Sequence, residues 1–287
     1  MEMIWVEKYR PDKLEDVILD KNTKETLTKY IQDGIFPHLL LVGKAGTGKT
    51  TVARILNKQT NCEMLELNAS NERGIETIRD KIGTFVRSKT MRDFRVVFLD
   101  EFDGMTSTAQ NTLRNLMEKF SQNSRFILTA NYPSKIIDPI KSRCITFEFK
   151  RLSKVEMKQR LKYILGQESV KFNPETVDAD LEKVIRFSRY DMRKSIQNLQ
   201  RFSPNGELKV SDDEQEYREI LEFLMNKNLA GLKKYLAETE IDYQKVYRFL
   251  FEKINEPNKI VLLAEYYYRH HFVADPDINF VAMVIKW

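Results

Sequence analysis

The chain has 287 residues, 42% hydrophobic and 31% charged, with a net charge of +5, a length that points to two or three soluble globular domains. No apolar run approaches the roughly 20 residues of a bilayer span and the opening has no signal-like region, so a cytoplasmic setting is expected, that of the host if the chain is viral. Two cysteines far apart in sequence, Cys62 and Cys144, exclude a disulfide framework and a zinc site.

Charge is distributed unevenly: residues 1–150 carry 24 basic and 20 acidic side chains, 151–206 carry 12 and 7, and 207–287 carry 11 and 15. A polyanion is therefore drawn to the first two segments and repelled from the last. In the first segment, apolar runs at residues 38–42, 64–67, 96–99, 126–128 and 145–149 read as strands separated by helical patterns, giving βαβ units and a parallel sheet. Thr106 is expected to cap a helix whose core face carries Leu113, Leu116, Met117 and Phe120. From Ser153 the strand signal stops. Ser153 and Glu156 form a capping-box pattern, Pro174 marks the start of another helix, and Asp191 caps a third that runs to Phe202. Ser203-Pro204-Asn205-Gly206 is the clearest break. Beyond it about five helices are expected, with more aromatic surface than a small bundle needs: Phe249, Phe251, Tyr266, Tyr267, Tyr268, Phe272, Phe280 and Trp287. The expected division is residues 1–150, an α/β domain; 151–206, a helical domain; and 207–287, a second, all-α domain.

The chemistry begins at Gly43-Lys44-Ala45-Gly46-Thr47-Gly48-Lys49-Thr50, which fits G-x-x-x-x-G-K-[ST] between a strand and a helix. Glycines let backbone N–H groups turn onto phosphates, Lys49 reaches the terminal oxygens of ATP, and Thr50 ligates Mg²⁺. The apolar run at residues 96–99 ends in Asp100, which would hold Mg²⁺ through water, and Glu101, which would orient the attacking water. Asn131, after another core strand, offers a neutral amide to the γ-phosphate or the water. Arg143, in Ser142-Arg143-Cys144, is placed to enter a neighbour's site in trans, and Arg193 to reach the phosphates from the helical domain.

These motifs resemble those of the clamp-loader ATPases of the AAA+ superfamily, similar to replication factor C small subunits and their phage counterparts. The resemblance also rests on Glu7-Lys8-Tyr9-Arg10-Pro11, on Phe36 through Leu40, on Asn68 through Ile75, on Met105-Thr106 with Ala109-Gln110 and Leu113-Arg114, and on Asp191-Met192-Arg193. It covers residues 4 to 203 in motifs and the remainder in architecture. It implies an αβα P-loop ATPase domain with a five-stranded parallel sheet, a helical lid and a helical collar that joins five subunits, among them a distinct partner subunit. By resemblance, Glu7, Lys8, Tyr9, Arg10, Ile18, Gly46, Thr47, Gly48, Lys49, Thr50, Thr51 and Arg193 bind the nucleotide. Arg73, Gly74, Ile75, Thr77, Thr106, Ser107 and Arg114 face DNA phosphates, Gln110 relays between helices, and a helix from Ile75 to about Ser88 meets the sliding clamp, either through Ile78, Ile82 and Phe85 beside Arg87, Lys89 and Arg92 or, if those three are the helix's core stripe, through the basic cluster and the loop after it. Primer-template DNA entering the ATP-bound spiral would trigger hydrolysis and release of the clamp. Three departures stand out: Lys44-Ala45 replaces a proline pair, Phe102 a small residue, and Tyr190 a frequent glycine. The collar is also shorter than in cellular members, which is compatible with a phage origin. The rival is another AAA+ DNA machine, a branch-migration motor or helicase loader, against which the Ser142-Arg143-Cys144 triplet argues.

Overall fold

The computed structural model describes residues 4–71, 76, 78–210, 214–239 and 241–287. Contacts divide the chain into two compact units, Met1–Val210 and Ser211–Trp287.

The first unit is built on a five-stranded sheet in the order β2-β3-β4-β1-β5, with β1 at Leu39–Gly43, β2 at Cys62–Asn68, β3 at Phe94–Asp100, β4 at Ser124–Ala130 and β5 at Ile145–Phe149. Every pairing is parallel. Both faces of such a sheet must be covered, which is why its strands read as continuous apolar runs. One face packs Leu39, Leu41, Val96, Phe98 and Ile127 with Val52, Ile55 and Leu56 of the helix Lys49–Gln59. The other packs Leu40, Val97, Leu99, Phe126 and Leu128 with Leu113 and Met117 of the helix Ser107–Lys119. Phe102 is fully buried in this second cluster, so the residue that departs from the family pattern fills core. A side chain of that size contributes about 1.5–3 kcal/mol on burial.

Register places the active edge. Asn68 pairs with Asp100, Leu99 with Leu128 and Val42 with Ala130, so β1, β3 and β4 end side by side. Ligands bind parallel sheets at this carboxyl edge.

Three helices, Lys154–Gln167, Val177–Phe187 and Met192–Arg201, bury Met157, Leu161, Leu181, Val184, Ile196 and Leu199 in a cluster of their own. The expected capping box is formed: Ser153 accepts from the Glu156 amide, and the Glu156 carboxylate accepts from the Ser153 amide. Asp191 caps the third helix by accepting from the Lys194 amide. Pro174 lies in the turn ahead of the second helix, which starts at Val177. Arg189 and Tyr190 both have positive φ, 54° and 60°, a conformation that costs a non-glycine residue about 1 kcal/mol or more and explains why glycine suits position 190. After the 3₁₀ turn Pro204–Gly206 the chain returns to this unit, because the Leu208 amide donates to Lys171 and the Lys209 amide to Phe202.

The second unit has five helices among its described residues, Glu214–Met225, Leu229–Glu238, Tyr243–Lys253, Pro257–His270 and Pro276–Lys286. Ile220, Leu224, Leu232, Val246, Leu250, Phe280 and Met283 form its core. The aromatic excess divides: Phe249, Tyr266 and Phe280 are buried, whereas Phe251, Tyr267, Tyr268 and Phe272 are exposed.

Candidate nucleotide site

A cleft opens at the carboxyl edge of the sheet, between the loop after β1 and the helix that Asp191 caps. It is lined by Gly46, Thr47, Gly48, Lys49, Thr50 and Thr51 from the loop, and by Asp100, Glu101 and Asn131 from the ends of β3 and β4. Tyr9, Arg10 and Ile18 close one side and Arg193 another.

The loop makes its tight turns at Gly46 and Gly48, with φ of +75° and +96°. At Gly46 a Cβ would stand 2.3 Å from the Asp191 carboxylate, so any side chain there must displace that helix cap as well as adopt a strained φ. Lys49 is folded back into the loop: its ammonium donates to the carbonyls of Gly43 at 2.8 Å and Lys44 at 2.9 Å, and to Asn131 Oδ1 at 3.0 Å. Burial holds its pKa below the usual lysine value, and Asp100, Asp103 and Glu101 offset part of that loss. The ammonium is thus held at the loop where a terminal phosphate belongs.

Thr50 Oγ1 donates to both Asp100 oxygens at 3.1 Å. No group of three or more His, Cys, Asp or Glu side chains suited to a metal occurs among the described residues. One hydroxyl and one carboxylate fit Mg²⁺ well, because that ion keeps most of its waters and takes further oxygens from phosphates.

Glu101 has φ 55° and ψ 42°, a left-handed conformation that costs a non-glycine residue about 1 kcal/mol or more. Its neighbours hold it there. Its amide donates to Thr129 Oγ1 at 3.0 Å, its carbonyl accepts from Gly104 at 2.9 Å, and its carboxylate accepts from Ser70 Oγ at 2.7 Å. Thr129 Oγ1 also donates to Asp100, so one hydroxyl joins both acidic residues. Asp103 accepts from the amides of Asn131 and Tyr132 at 3.2 Å, which sets the amide of Asn131 against Lys49. Sequence reading missed Thr129, Ser70 and Asp103. The signal for Thr129 was its place one residue before the end of β4, beside the end of β3; nothing in local spacing marks the other two.

Glu7 and Lys8 do not line the cleft. Glu7 pairs with Arg10 at 3.1 Å, and Lys8 pairs at 2.7 Å with Glu168, the C-cap residue of the helix Lys154–Gln167. Tyr9 anchors the same segment, donating from its hydroxyl to Glu168 at 2.6 Å while its carbonyl accepts from Arg160 at 2.9 Å. Arg143 does not line the cleft: it precedes the amino end of β5, paired with Glu118 and donating to the Pro139 carbonyl at 2.7 Å.

Of the DNA-facing expectations, Arg73, Gly74, Ile75 and Thr77 lie outside the described residues. Thr106 and Ser107 are exposed at the start of their helix, where Thr106 accepts from the Ala109 amide. Arg114 bonds Asn115 at 2.9 Å. Gln110 is buried and joins three segments: its amide nitrogen donates to Met105 at 3.2 Å and Lys135 at 3.0 Å, and its oxygen accepts from Ile137 at 3.0 Å. The helix expected from Ile75 to Ser88 is replaced, where described, by a π-helical turn Ile78–Ile82 and a short α-helix Gly83–Arg87. The Ile78 side chain lies outside the described residues. Ile82 is a correction: it is fully buried in the core and presents no contact surface. Phe85 is half-buried beneath the Arg95 guanidinium.

Residues 39–152 match the profile of the ATPase family associated with various cellular activities (AAA). The replication factor C small subunit of Aeropyrum pernix is 40% identical, with 99% of this chain and 95% of that protein covered. The protein of the same name from Staphylothermus marinus is 37% identical, with 99% and 94% covered, and that from Methanococcus maripaludis 46%, with 70% and 64% covered. Among solved structures, two point variants of Thermotoga maritima RuvB superpose with TM-scores of 0.55 and 0.51, covering 86% and 80% of this chain and 93% and 85% of theirs. At 18% and 17% identity they share the fold alone; the likeness to replication factor C small subunits is what disfavours the alternative of another AAA+ DNA machine. No helix among the described residues is long and apolar enough to cross a membrane. The phosphate loop, the acidic strand end and near full-length likeness converge: the chain belongs to the replication factor C small-subunit family, the AAA ATPase subunits of sliding-clamp loaders in DNA replication.

Proposed function

We propose that this chain provides one half of each ATPase site in a ring-like spiral of about five subunits, including a distinct partner subunit, and that Arg143 of the next copy completes it. The observation that carries this reading is that Arg143 stays out of a cleft whose lining already holds Lys49, Asp100, Glu101 and Asn131, and lies instead before the amino end of β5, at the opposite edge of the sheet. In this arrangement Lys49 steadies the terminal phosphate, Asn131 fixes Lys49 and the phosphate oxygens, and Glu101 orients a water for in-line attack. Thr50 and Asp100 would hold Mg²⁺, which would supply positive charge against the phosphates. Gly46, Thr47, Gly48 and Thr51 cradle the phosphates through the loop, while Tyr9, Arg10 and Ile18 flank the base. Arg193 carries the nucleotide state to the helical lid, and charge from Arg143 arrives only when subunits assemble.

The wider setting follows from the family. ATP binding assembles a spiral that opens the sliding clamp, primer-template DNA triggers hydrolysis, and hydrolysis releases the clamp. Thr106, Ser107 and Arg114 are exposed or half-exposed on one helix and suit DNA phosphates, with Arg73, Gly74, Ile75 and Thr77 as further candidates. The clamp is proposed to meet the surface around Phe85, Arg87, Lys89 and Arg92, and the exposed aromatics of residues 211–287 to pack between subunits. Such a protein works in the cytoplasm, or in that of the host if its origin is viral.

The test is the ATPase rate of the assembled loader with and without primed DNA and the cognate clamp. A rate raised by both supports the reading; a rate that neither changes would contradict it.

A further inference from the structure

The phosphate loop carries a second lysine that the nucleotide site leaves unused. Lys44 is exposed, and its ammonium stands 5.4 Å from the centre of the Tyr132 ring. Lys135 stands 5.1 Å from the same ring, which is 52% exposed. No ion pair involving either lysine is present among the described residues. Two ammonium groups on one ring repel each other, and an incoming carboxylate would relieve both. The patch is on the rim at the phosphate end: the Lys44 carbonyl accepts from Lys49, Tyr132 follows Asn131, and none of the three side chains lines the cleft.

The second observation is Glu118, near the end of the helix Ser107–Lys119. Its half-exposed carboxylate pairs with Arg143 and lies 4.0 Å from Arg114. For Arg143 to reach a neighbour's last phosphate, its guanidinium must let go of Glu118. That leaves a carboxylate beside the advancing finger, facing the neighbour's rim.

We propose that Glu118 of one copy docks on the Lys44–Tyr132–Lys135 patch of the next, exchanging Arg143 for the two ammonium groups as subunits close. The inference rests on the trans role of Arg143 proposed above. Glu118 then has two successive tasks: it parks the finger in the free subunit, and it fixes the register of the closed interface once the finger is deployed. Electrostatic exchange of this kind favours the correct partner and orientation more than it adds affinity.

The test reverses the charges. Self-association is followed by sedimentation with a non-hydrolysable ATP analogue, alongside nucleotide affinity and thermal melting. Glu118→Lys and the pair Lys44→Glu with Lys135→Glu are each expected to weaken association by about tenfold or more, and the combination to recover to within about threefold of wild type. Should the Lys44 change itself lower nucleotide affinity, Lys135→Glu combined with Glu118→Lys repeats the test without touching the phosphate loop. Additive losses in the combined variant, single reversals without effect, or a lysine reversal that weakens primed-DNA binding while assembly stays intact would each overturn the proposal. Arg143→Ala reports separately on the underlying reading: wild-type hydrolysis by that variant in the assembled loader removes the trans role, whereas charge-swap recovery would still establish the surface.

Discussion

The two compact units, Met1–Val210 and Ser211–Trp287, put their polar side chains to different uses. In residues 1–210 the sheet edge gathers polar atoms from widely separated segments: Ser70 reaches Glu101, Thr50 reaches Asp100, and Lys49 reaches Asn131. In residues 211–287 most specific contacts are apolar, and the polar ones chiefly hold helices in place, as where Tyr243 donates to Asp277 at 2.6 Å and Asn279 donates to Tyr247 at 3.1 Å. The first unit spends backbone strain at Glu101 to aim a carboxylate, whereas the second buries aromatics to hold a shape. The difference teaches where a substitution should alter chemistry and where it should alter only stability.

Lys49→Ala should break the comparison most sharply, lowering hydrolysis by about a thousandfold or more, roughly 4 kcal/mol, with the fold unchanged in thermal melting. Phe280→Ala is its counterpart: a fully buried ring in the second unit whose loss should cost about 3–5 kcal/mol in denaturant unfolding of that unit, while isolated-subunit nucleotide affinity stays at wild type. Thr129→Val keeps the size of the side chain but removes the hydroxyl that joins Asp100 to the Glu101 amide. It should slow hydrolysis about tenfold at unchanged nucleotide affinity, and Thr129→Ser should restore the rate.

A pH titration sharpens the same division within the first unit. His38 Nδ1 accepts from the Phe126 amide at 3.2 Å, and burial, with help from nearby Arg125, pushes the imidazole down to about 4. The unfolded chain takes up this proton near the ordinary value of 6.5, so the contribution to stability is complete above that pH and is lost as pH falls from 6.5 towards 4. His38→Asn, whose oxygen can accept the same amide, should flatten that part of the stability curve, an effect of at most about 3 kcal/mol. The smallest change is expected at Phe272, which is 74% exposed: Phe272→Ser should move stability by less than about 0.5 kcal/mol.

Sequence reading carried well where one element contains its own signal. The strands announced themselves as apolar runs, the phosphate loop by its glycines and lysine, and the helices by caps such as Thr106, Ser153 and Asp191. It failed where geometry depends on three-dimensional neighbours. Ser70 and Thr129 come to the acidic pair from two other strand ends, which only register brings together. Ile82 shows the ambiguity of a stripe, which fits either a contact surface or core; burial decides for core at this position. Glu118 was invisible because the partner that explains it, Arg143, is twenty-five residues on, beyond β4 and just before β5, a return that pattern alone does not fold.

The central claim, that the cleft of one subunit is complete for binding and incomplete for hydrolysis, is tested most directly by mixing. A chain with Lys49→Ala and a chain with Arg143→Ala should each be nearly inactive in the assembled loader. An equal mixture should recover roughly a quarter of the wild-type rate, because random neighbours place an intact Arg143 beside an intact cleft about that often. A mixture as inactive as its components would place Arg143 in its own subunit's site and contradict the account.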